Sequence, residues 1–490
     1  MISFTLALLL LIGGYFIYGT FVSRVFGQDN SRPTPVQTMA DGVDYVPLPS
    51  WKVFLIQFLN IAGLGPIFGA IMGVMYGPAA FLWIVLGTIF AGGVHDYLSG
   101  MLSLRMRGAS LPEIVGHELG GGVKNVMRVF ALVLMLLVGA VFVYNPADLL
   151  ARLTSEHLDA MFWIIVIFIY YMAATLLPID KLIGKLYPIF GFALLFMAVG
   201  ICVMLYVHAG SVPEFWQEFY NHKPDPEANP IFPMMFVSIA CGAISGFHAT
   251  QSPMMARCLK SEKHARPIFY GAMVAEGIVA LIWAAAAVTF TGGYGNLQEA
   301  LGSGSPAPLV DSLSRSWLGT FGGLLAVLGV IAAPITSGDT ALRSARLIAA
   351  DFLNVSQKNL LKRLAVSVPI FVACFVIMLL PYDVLWRYFA WCNQVLAVFT
   401  LWTATVWLAR HGKFYLIALV PAMFMTCVTV TYIIFAPEGL QGVAETAWGT
   451  SIPYNVACAC GCLVSLLFLA LFGRFLAKFN AKKMLENLEM

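Results

Sequence analysis

The chain has 490 residues, 60% of them hydrophobic and 11% charged, against about a quarter charged in a soluble globular domain. Apolar runs recur from end to end, so a soluble domain is excluded and lipid is the expected solvent. The net charge of +3 gathers into no basic stripe, which excludes a nucleic-acid surface, and the nine scattered cysteines imply no disulfide framework.

A hydrocarbon core takes roughly 20 residues per helix. That ruler predicts thirteen spans, beginning near residues 2, 53, 79, 126, 161, 187, 232, 269, 320, 364, 384, 413 and 453. The first run, 2–22, has no basic residues ahead of it and no convincing small-residue cleavage site, so a retained span is expected rather than a signal peptide. With the N-terminus outside, 24 of the 28 lysines and arginines fall in inner loops, leaving only Arg152, Lys223, Arg315 and Arg387 outside. The positive-inside rule therefore predicts an outer N-terminus and a cytoplasmic C-terminus.

The second span contains "FLNIAGLGPIFGA", residues 58–70, in which Gly63, Gly65 and Pro66 interrupt the helix near mid-membrane. Such a break is tolerated only where the freed backbone groups are buried in protein or line a polar cavity. The third span holds His95 and Asp96, and beyond it the inner loop carries Glu113 and His117 four apart, a weak metal pattern. The acidic outer loop 209–230, with Glu214, Glu218, Asp225 and Glu227, reads as a solvated connector.

The seventh span repeats the interruption 178 residues after the first: "FVSIACGAISGFHATQSP", residues 236–253, aligns Phe236 with Phe58, Ile239 with Ile61 and Ala240 with Ala62. Five spans separate the two starts, so the breaks sit in helices of opposite direction. Glycines that merely permit close packing are the plain alternative for one such stretch; two at matching positions point to an inverted-repeat transporter. Unwinding bares carbonyls for a cation, and half-helix N-termini present N–H groups to an anion.

Only three of the 25 acidic residues fall well inside predicted spans: Asp96, Glu276 and Asp339. Charge at that depth is costly and functional by default. Glu276, amid alanines and valines, suits reversible protonation or an inner-gate network. His248, inside the second break, either meets substrate or bonds freed backbone. In the ninth span, "APITSGDTALRSAR" (333–346) puts Thr336 and Thr340 on one face with Ser337 beside them, a hard-oxygen set fit for sodium. Asp339 adds a ligand, carries a proton, or pairs with Arg343. Near the C-terminus, Cys458, Cys460 and Cys462 alternate, about 200° apart per pair on a helix, and read as small apolar residues. No P-loop, G-x-S-x-G or H-E-x-x-H is present, so no enzyme is expected.

The stretches "FLNIAGLGPIFGAIMG", "GGVHDYLSGMLSLRMRGASLPEIVG", "SGFHATQSPMMAR" and "PITSGDTALRSARLIAAD" resemble the carbon starvation protein A (CstA) family over nearly the whole chain. The resemblance implies a cytoplasmic-membrane transporter related to the amino acid–polyamine–organocation superfamily, with a LeuT-like five-plus-five core, associated with peptide uptake during nutrient limitation or with proton-coupled pyruvate uptake. By that scaffold, the second and seventh spans are the first and sixth core helices, and the ninth is the eighth, which commonly supplies hydroxyls to a sodium site. Some proton-coupled relatives use a lysine on the fifth core helix; residues 187–207 contain none. Better-known members are longer at the C-terminus.

The expected fold is an all-α polytopic membrane protein of about thirteen transmembrane helices: an extra helix (1–23), a five-helix repeat (52–208), a second inverted repeat (231–410), and two further helices with a short cytoplasmic tail (411–490). The expected function is import of a small carboxylate-bearing nutrient, a short peptide or pyruvate, by proton or sodium symport with alternating access. An uncoupled channel or a nutrient sensor is the alternative. Substrate is expected at Asn60, Gly63, Gly65, Ser245, Gly246, His248 and Gln251. The cation is expected at Ala62, Gly63, Thr336, Ser337 and Thr340, with Asp96, Glu276, Asp339 and His95 as relay or gate. No cofactor is expected, and no metal other than sodium. The partners are a small-molecule substrate and the inner-membrane bilayer; the sequence is silent on oligomeric state.

Overall fold

A computed structural model describes residues 1–42, 44–154, 158–176, 179–209, 213–302, 304–357 and 359–488, and among these every regular element is helical. Ten helices are long and apolar enough to cross a bilayer, and Ser50–Ile61 with Gly65–Val74 form an eleventh span bent by 54°. The apolar helix Ala160–Leu176 and the interrupted segment running from Ile231–Met235 to Gly246–Ala256 fill the two remaining positions of the thirteen-span reading. Helices are the form this chain must take, because a helix satisfies its own backbone where no water is available.

Burial sorts the spans. In the first, tenth and thirteenth, 22% of the most apolar stretch is buried, against 83% in the eighth and eleventh. The former are lipid-facing; the latter make the core around the two broken spans.

The largest boundary differences have a common cause. The sixth span begins at Ile179 rather than 187, and the ninth helix, Ala307–Phe352, begins well before 320 and is divided by Gly319 at φ 70°. Hydropathy finds the part of a helix at lipid depth, and both helices continue beyond it. The N-terminal extension of the ninth carries an Asp311–Arg315 pair at 2.8 Å, a contact that belongs in water.

Three short connecting helices, Leu111–Leu119, Tyr294–Leu301 and Leu440–Trp448, were not expected from hydropathy. The first uses Glu113 as a cap on Ser110 N (3.0 Å), while His117 Nδ1 meets Glu118 at 2.8 Å, so the Glu113/His117 spacing serves two different ends. The cysteine triplet also splays: Cys462 Sγ lies 3.6 Å from Cys427 Sγ of the twelfth span.

Residues 210–212 of the acidic loop 209–230 lie outside the described residues. Its Glu214 is no mere connector. The carboxylate takes the Met1 amino group, the Ser3 hydroxyl and the Ile2 and Ser3 amides, capping the first span. Burial acts to raise the pKa of this carboxyl, but those donors outweigh it and hold it at about 2.

Candidate functional site at the crossing of two broken spans

The second span's first half ends at Ala62 (φ −78°, ψ 49°) and resumes at Gly65. The seventh's first half ends at Ile239 with nearly the same torsions (φ −87°, ψ 55°) and resumes at Gly246. The two breaks thus begin alike, one residue out of step with the sequence alignment. The second is three residues long and the seventh is seven.

They lie against each other. A Cβ on Gly65 would come within 1.9 Å of Cys241 Cβ, one on Gly69 within 3.1 Å of Ser238 O, and one on Gly73 within 2.1 Å of Ile239 Cγ1. Spacing by four puts the three glycines on one helical face, and the missing side chains let that face rest on the other span's break. Gly242 sits at φ 88°, where L-residues are strained.

The seven-residue break is stitched by side chains from other spans. Asn393 of the eleventh span donates to Ala240 O (3.0 Å) and accepts from Ser245 Oγ (3.0 Å) and Phe247 N (2.7 Å). Gln394 donates to Ile244 O (3.2 Å). Thr88 of the third span donates to Gly242 O (2.9 Å), and Glu276 Oε1 of the eighth accepts from Gly242 N (3.1 Å). Thr88 opens a π-helical turn, Thr88–Gly92, whose loosened carbonyl at Ile89 is taken by Tyr270 OH at 2.8 Å. Such single π turns recur at functional sites.

The shorter break is held by one hydroxyl. Ser337 Oγ of the ninth span lies 3.0 Å from both Leu59 O and Asn60 O. Thr336 and Thr340 are equally buried, but their hydroxyls turn back to carbonyls of their own helix, at Ala332 and Ala333 and at Thr336 and Ser337 respectively. Of the expected hydroxyl set, Ser337 is therefore the member placed on the break. Asp339, fully buried, follows it by two residues, while the Arg343 guanidinium donates to Ala174 O.

Four of the expected ionisable residues join into one chain of contacts. Asp96 Oδ1 meets His95 Nδ1 at 2.7 Å and Asp96 Oδ2 meets His248 Nδ1 at 2.9 Å; His248 Nε2 then lies 3.4 Å from Glu276 Oε2. All four residues are 0% exposed. With His248 Nδ1 turned to Asp96, Nε2 faces a carboxylate oxygen: a proton on Nε2 makes the contact an ion pair, and a cation can bridge the same two atoms. Among the described residues, neither atom has a hydrogen-bond partner.

Other buried polar atoms without such a partner cluster on the same elements. They include both side-chain atoms of Gln57 and Asn60 on the second span and Gln251 Oε1 on the seventh; Gln251 Nε2 is held by Thr250. Each unsatisfied buried group costs about 1–3 kcal/mol, so their concentration marks a place built for something polar.

Sequence reasoning missed Thr88, Cys241, Asn393, Gln394 and Gln57. The adjacent amides Asn393 and Gln394 inside "WCNQVLAV" were a usable signal, since two amides at lipid depth require partners. Gln57, one turn before Asn60, was a weaker one. Nothing local distinguishes Thr88 or Cys241 from a packing residue.

The carbon starvation protein CstA family matches this chain over residues 1–156, 151–307 and 299–432. An uncharacterized membrane protein of Haemophilus influenzae is 43% identical over 352 residues, covering 62% of this chain and 95% of that one. Peptide transporters CstA of Campylobacter jejuni and Bacillus subtilis are 28% and 27% identical over 55% and 56% of this chain. The matched region spans about half the length of those two relatives, 47% and 56% respectively. Among solved structures, a manganese transporter of Eremococcus coleocola superposes with a TM-score of 0.52 at 13% identity, covering 90% of this chain and 99% of that one. MhsT in complex with L-phenylalanine superposes at 0.56 and 14%, covering 87% and 98%. At such identities the likeness is one of fold, the LeuT-like arrangement with two interrupted helices. The chain is a multi-pass membrane protein and belongs to the carbon starvation protein CstA family.

Proposed function

We propose that this protein imports a small carboxylate-bearing nutrient, a short peptide or pyruvate, across the inner membrane by cation symport. The observation that carries the reading is the four-residue chain ending at the break: His248 Nε2 and Glu276 Oε2, 3.4 Å apart on two different spans, hold together only around a shared proton or cation. A coupling ion that enters or leaves there changes what the seventh span's break is tied to, which is the link symport needs. The names of the CstA relatives support transport of peptides.

In this reading the repeats 52–208 and 231–410 rock around the crossing, with 1–23 and 411–490 outside the moving core. Substrate lies among Asn60, Gly63, Gly65, Ser245, Gly246, His248 and Gln251. A cation lies near Ala62, Gly63 and Ser337, with Thr336 and Thr340 one layer behind, or on the chain of His95, Asp96, His248 and Glu276; Asp339 is the remaining gate candidate. The orientation is N-terminus outside and C-terminus cytoplasmic.

The test is uptake of labelled pyruvate and of a dipeptide into proteoliposomes under a proton gradient, a sodium gradient or neither, with Glu276→Gln and Asp339→Asn in parallel. Accumulation against the gradient under one ion, lost in Glu276→Gln protein of unchanged melting temperature, is the expected result. Rapid equilibration without accumulation would establish a channel instead, and binding with negligible flux a sensor.

A further inference from the structure

The break in the seventh span brings a third donor to the same point. Ligand atoms, one each from Cys241, His248 and Glu276, lie within 4.8 Å of one another, on residues no more than 2% exposed. With His248 Nδ1 on Asp96 and Glu276 Oε1 on Gly242 N, the atoms left for the site are Cys241 Sγ, His248 Nε2 and Glu276 Oε2. We propose that these three atoms form a binding site for a soft divalent transition-metal ion, with zinc as the fitting case.

Thiolate, imidazole and carboxylate are zinc's usual ligand types, and three protein donors plus one solvent oxygen complete its tetrahedron. A hard ion such as magnesium would not select a sulfur ligand. Each donor also has the outer support that metal ligands carry. His248 Nδ1 is turned to Asp96 Oδ2 (2.9 Å), which aims Nε2 at the site. Glu276 spends Oε1 on Gly242 N (3.1 Å), leaving Oε2 for the ion. Asn393 Nδ2 donates to Cys241 Sγ (3.5 Å), and the thiol donates to Ser245 Oγ (3.5 Å), which fixes where the sulfur points. Charge points the same way: a Cys241 thiolate and the Glu276 carboxylate together balance a dication in a low-dielectric interior. On binding, the thiol proton leaves to solvent as the S–metal bond forms.

The consequence is mechanical. Cys241 is inside the break, His248 is in the half-helix after it, and Glu276 is on the eighth span. One ion would tie all three and hold the break in a single geometry, so occupancy would arrest a cycle that depends on this segment moving. The site shares His248 and Glu276 with the proposed coupling chain but not its premise: binding is read on purified protein with neither substrate nor gradient. Failure of uptake would leave the metal site standing, and failure of metal binding would leave symport standing.

The experiment uses tag-free, full-length protein in detergent, stripped with a chelator and equilibrated with zinc, with bound metal measured by elemental analysis. One zinc per chain is expected, with affinity weakened about tenfold or more in Cys241→Ser and in Glu276→Gln. Substituting both members of the Cys427/Cys462 pair by serine should leave it unchanged. Should Cys241→Ser fail to fold, the cobalt-loaded wild-type chain gives the same information. A thiolate-to-cobalt charge-transfer band and one sulfur neighbour in X-ray absorption are expected. Absence of stoichiometric zinc, a site without sulfur, or zinc lost with the Cys427/Cys462 change and kept in Cys241→Ser would each overturn the proposal.

Discussion

The break in the second span and the break in the seventh start with the same backbone torsions and are held in opposite ways. At the shorter one, between Ile61 and Gly65, the side-chain hydroxyl of Ser337 reaches two carbonyls of the turn that precedes it, Leu59 O and Asn60 O. The longer one, from Ile239 to Ser245, is a small folded loop whose backbone is claimed by Thr88, Glu276, Asn393 and Gln394. At lipid depth each freed peptide group must find a partner, so the number of unwound residues sets how many other spans must supply side chains. A short break stays a hinge. A long one becomes a structural unit that binds its neighbours, and any cation held within it is coupled to the third, eighth and eleventh spans at once.

The comparison breaks most sharply at Asn393. Asn393→Ala removes the hydrogen bonds to Ala240, Cys241, Ser245 and Phe247 and leaves buried backbone unsatisfied; at about 1–3 kcal/mol per orphaned group, a loss of about 3 kcal/mol or more is expected, read as a lowered melting temperature in detergent. An unchanged melting temperature would show that the loop does not depend on the eleventh span. The contact between the breaks is the next lever. Gly65→Ala drives a methyl to within 1.9 Å of Cys241 Cβ and should cost about 1–3 kcal/mol by overpacking. Adding Cys241→Gly should recover much of that; no recovery in the double variant would place the strain elsewhere.

Ser337→Ala tests the shorter break. One hydrogen-bonding group is removed, so only about 1 kcal/mol of stability is expected to go. The cation concentration for half-maximal uptake should nonetheless rise if the hinge carries the ion. A Ser337→Ala effect as large as that of Asn393→Ala would erase the distinction between hinge and loop.

The smallest effect is remote from both. Glu214 caps the first span, a lipid-facing helix, and its carboxyl is held at about 2 against an ordinary 4.5. A depressed folded-state value stabilises above the ordinary value, and that contribution fades as pH falls from 4.5 toward 2. Glu214→Gln should therefore lower the melting temperature slightly at neutral pH, with the difference from wild type closing over that acidic range. A difference constant with pH would mean that the cap acts through packing alone.

Much of this was legible in the residues. The positions of the long apolar helices follow from hydropathy, since lipid admits only such helices, and the two interruptions follow from glycine and proline where a helix should continue. Asp96, His248 and Glu276 were legible as individuals because ionisable groups are conspicuous at lipid depth. That they make one chain was not, because they come from three different spans, Asp96 more than a hundred residues before the other two, and their contacts depend on how those spans cross. Thr336 and Thr340 were legible as a hydroxyl pair but not in what they bond. Helical spacing put them with Ser337, yet a threonine in a helix readily bonds the carbonyl one turn back, and here both do.

The sequence by itself determined the solvent, the helices, where two of them break and which titratable groups are buried, for these depend on local composition and on the cost of exposing polar groups to lipid. Only the tertiary structure decided which side chains answer the freed backbone, that Gly65, Gly69 and Gly73 seat one break on the other, and that Cys241, His248 and Glu276 converge. Those are distances between different helices, set by how the spans pack, which no local run of residues encodes.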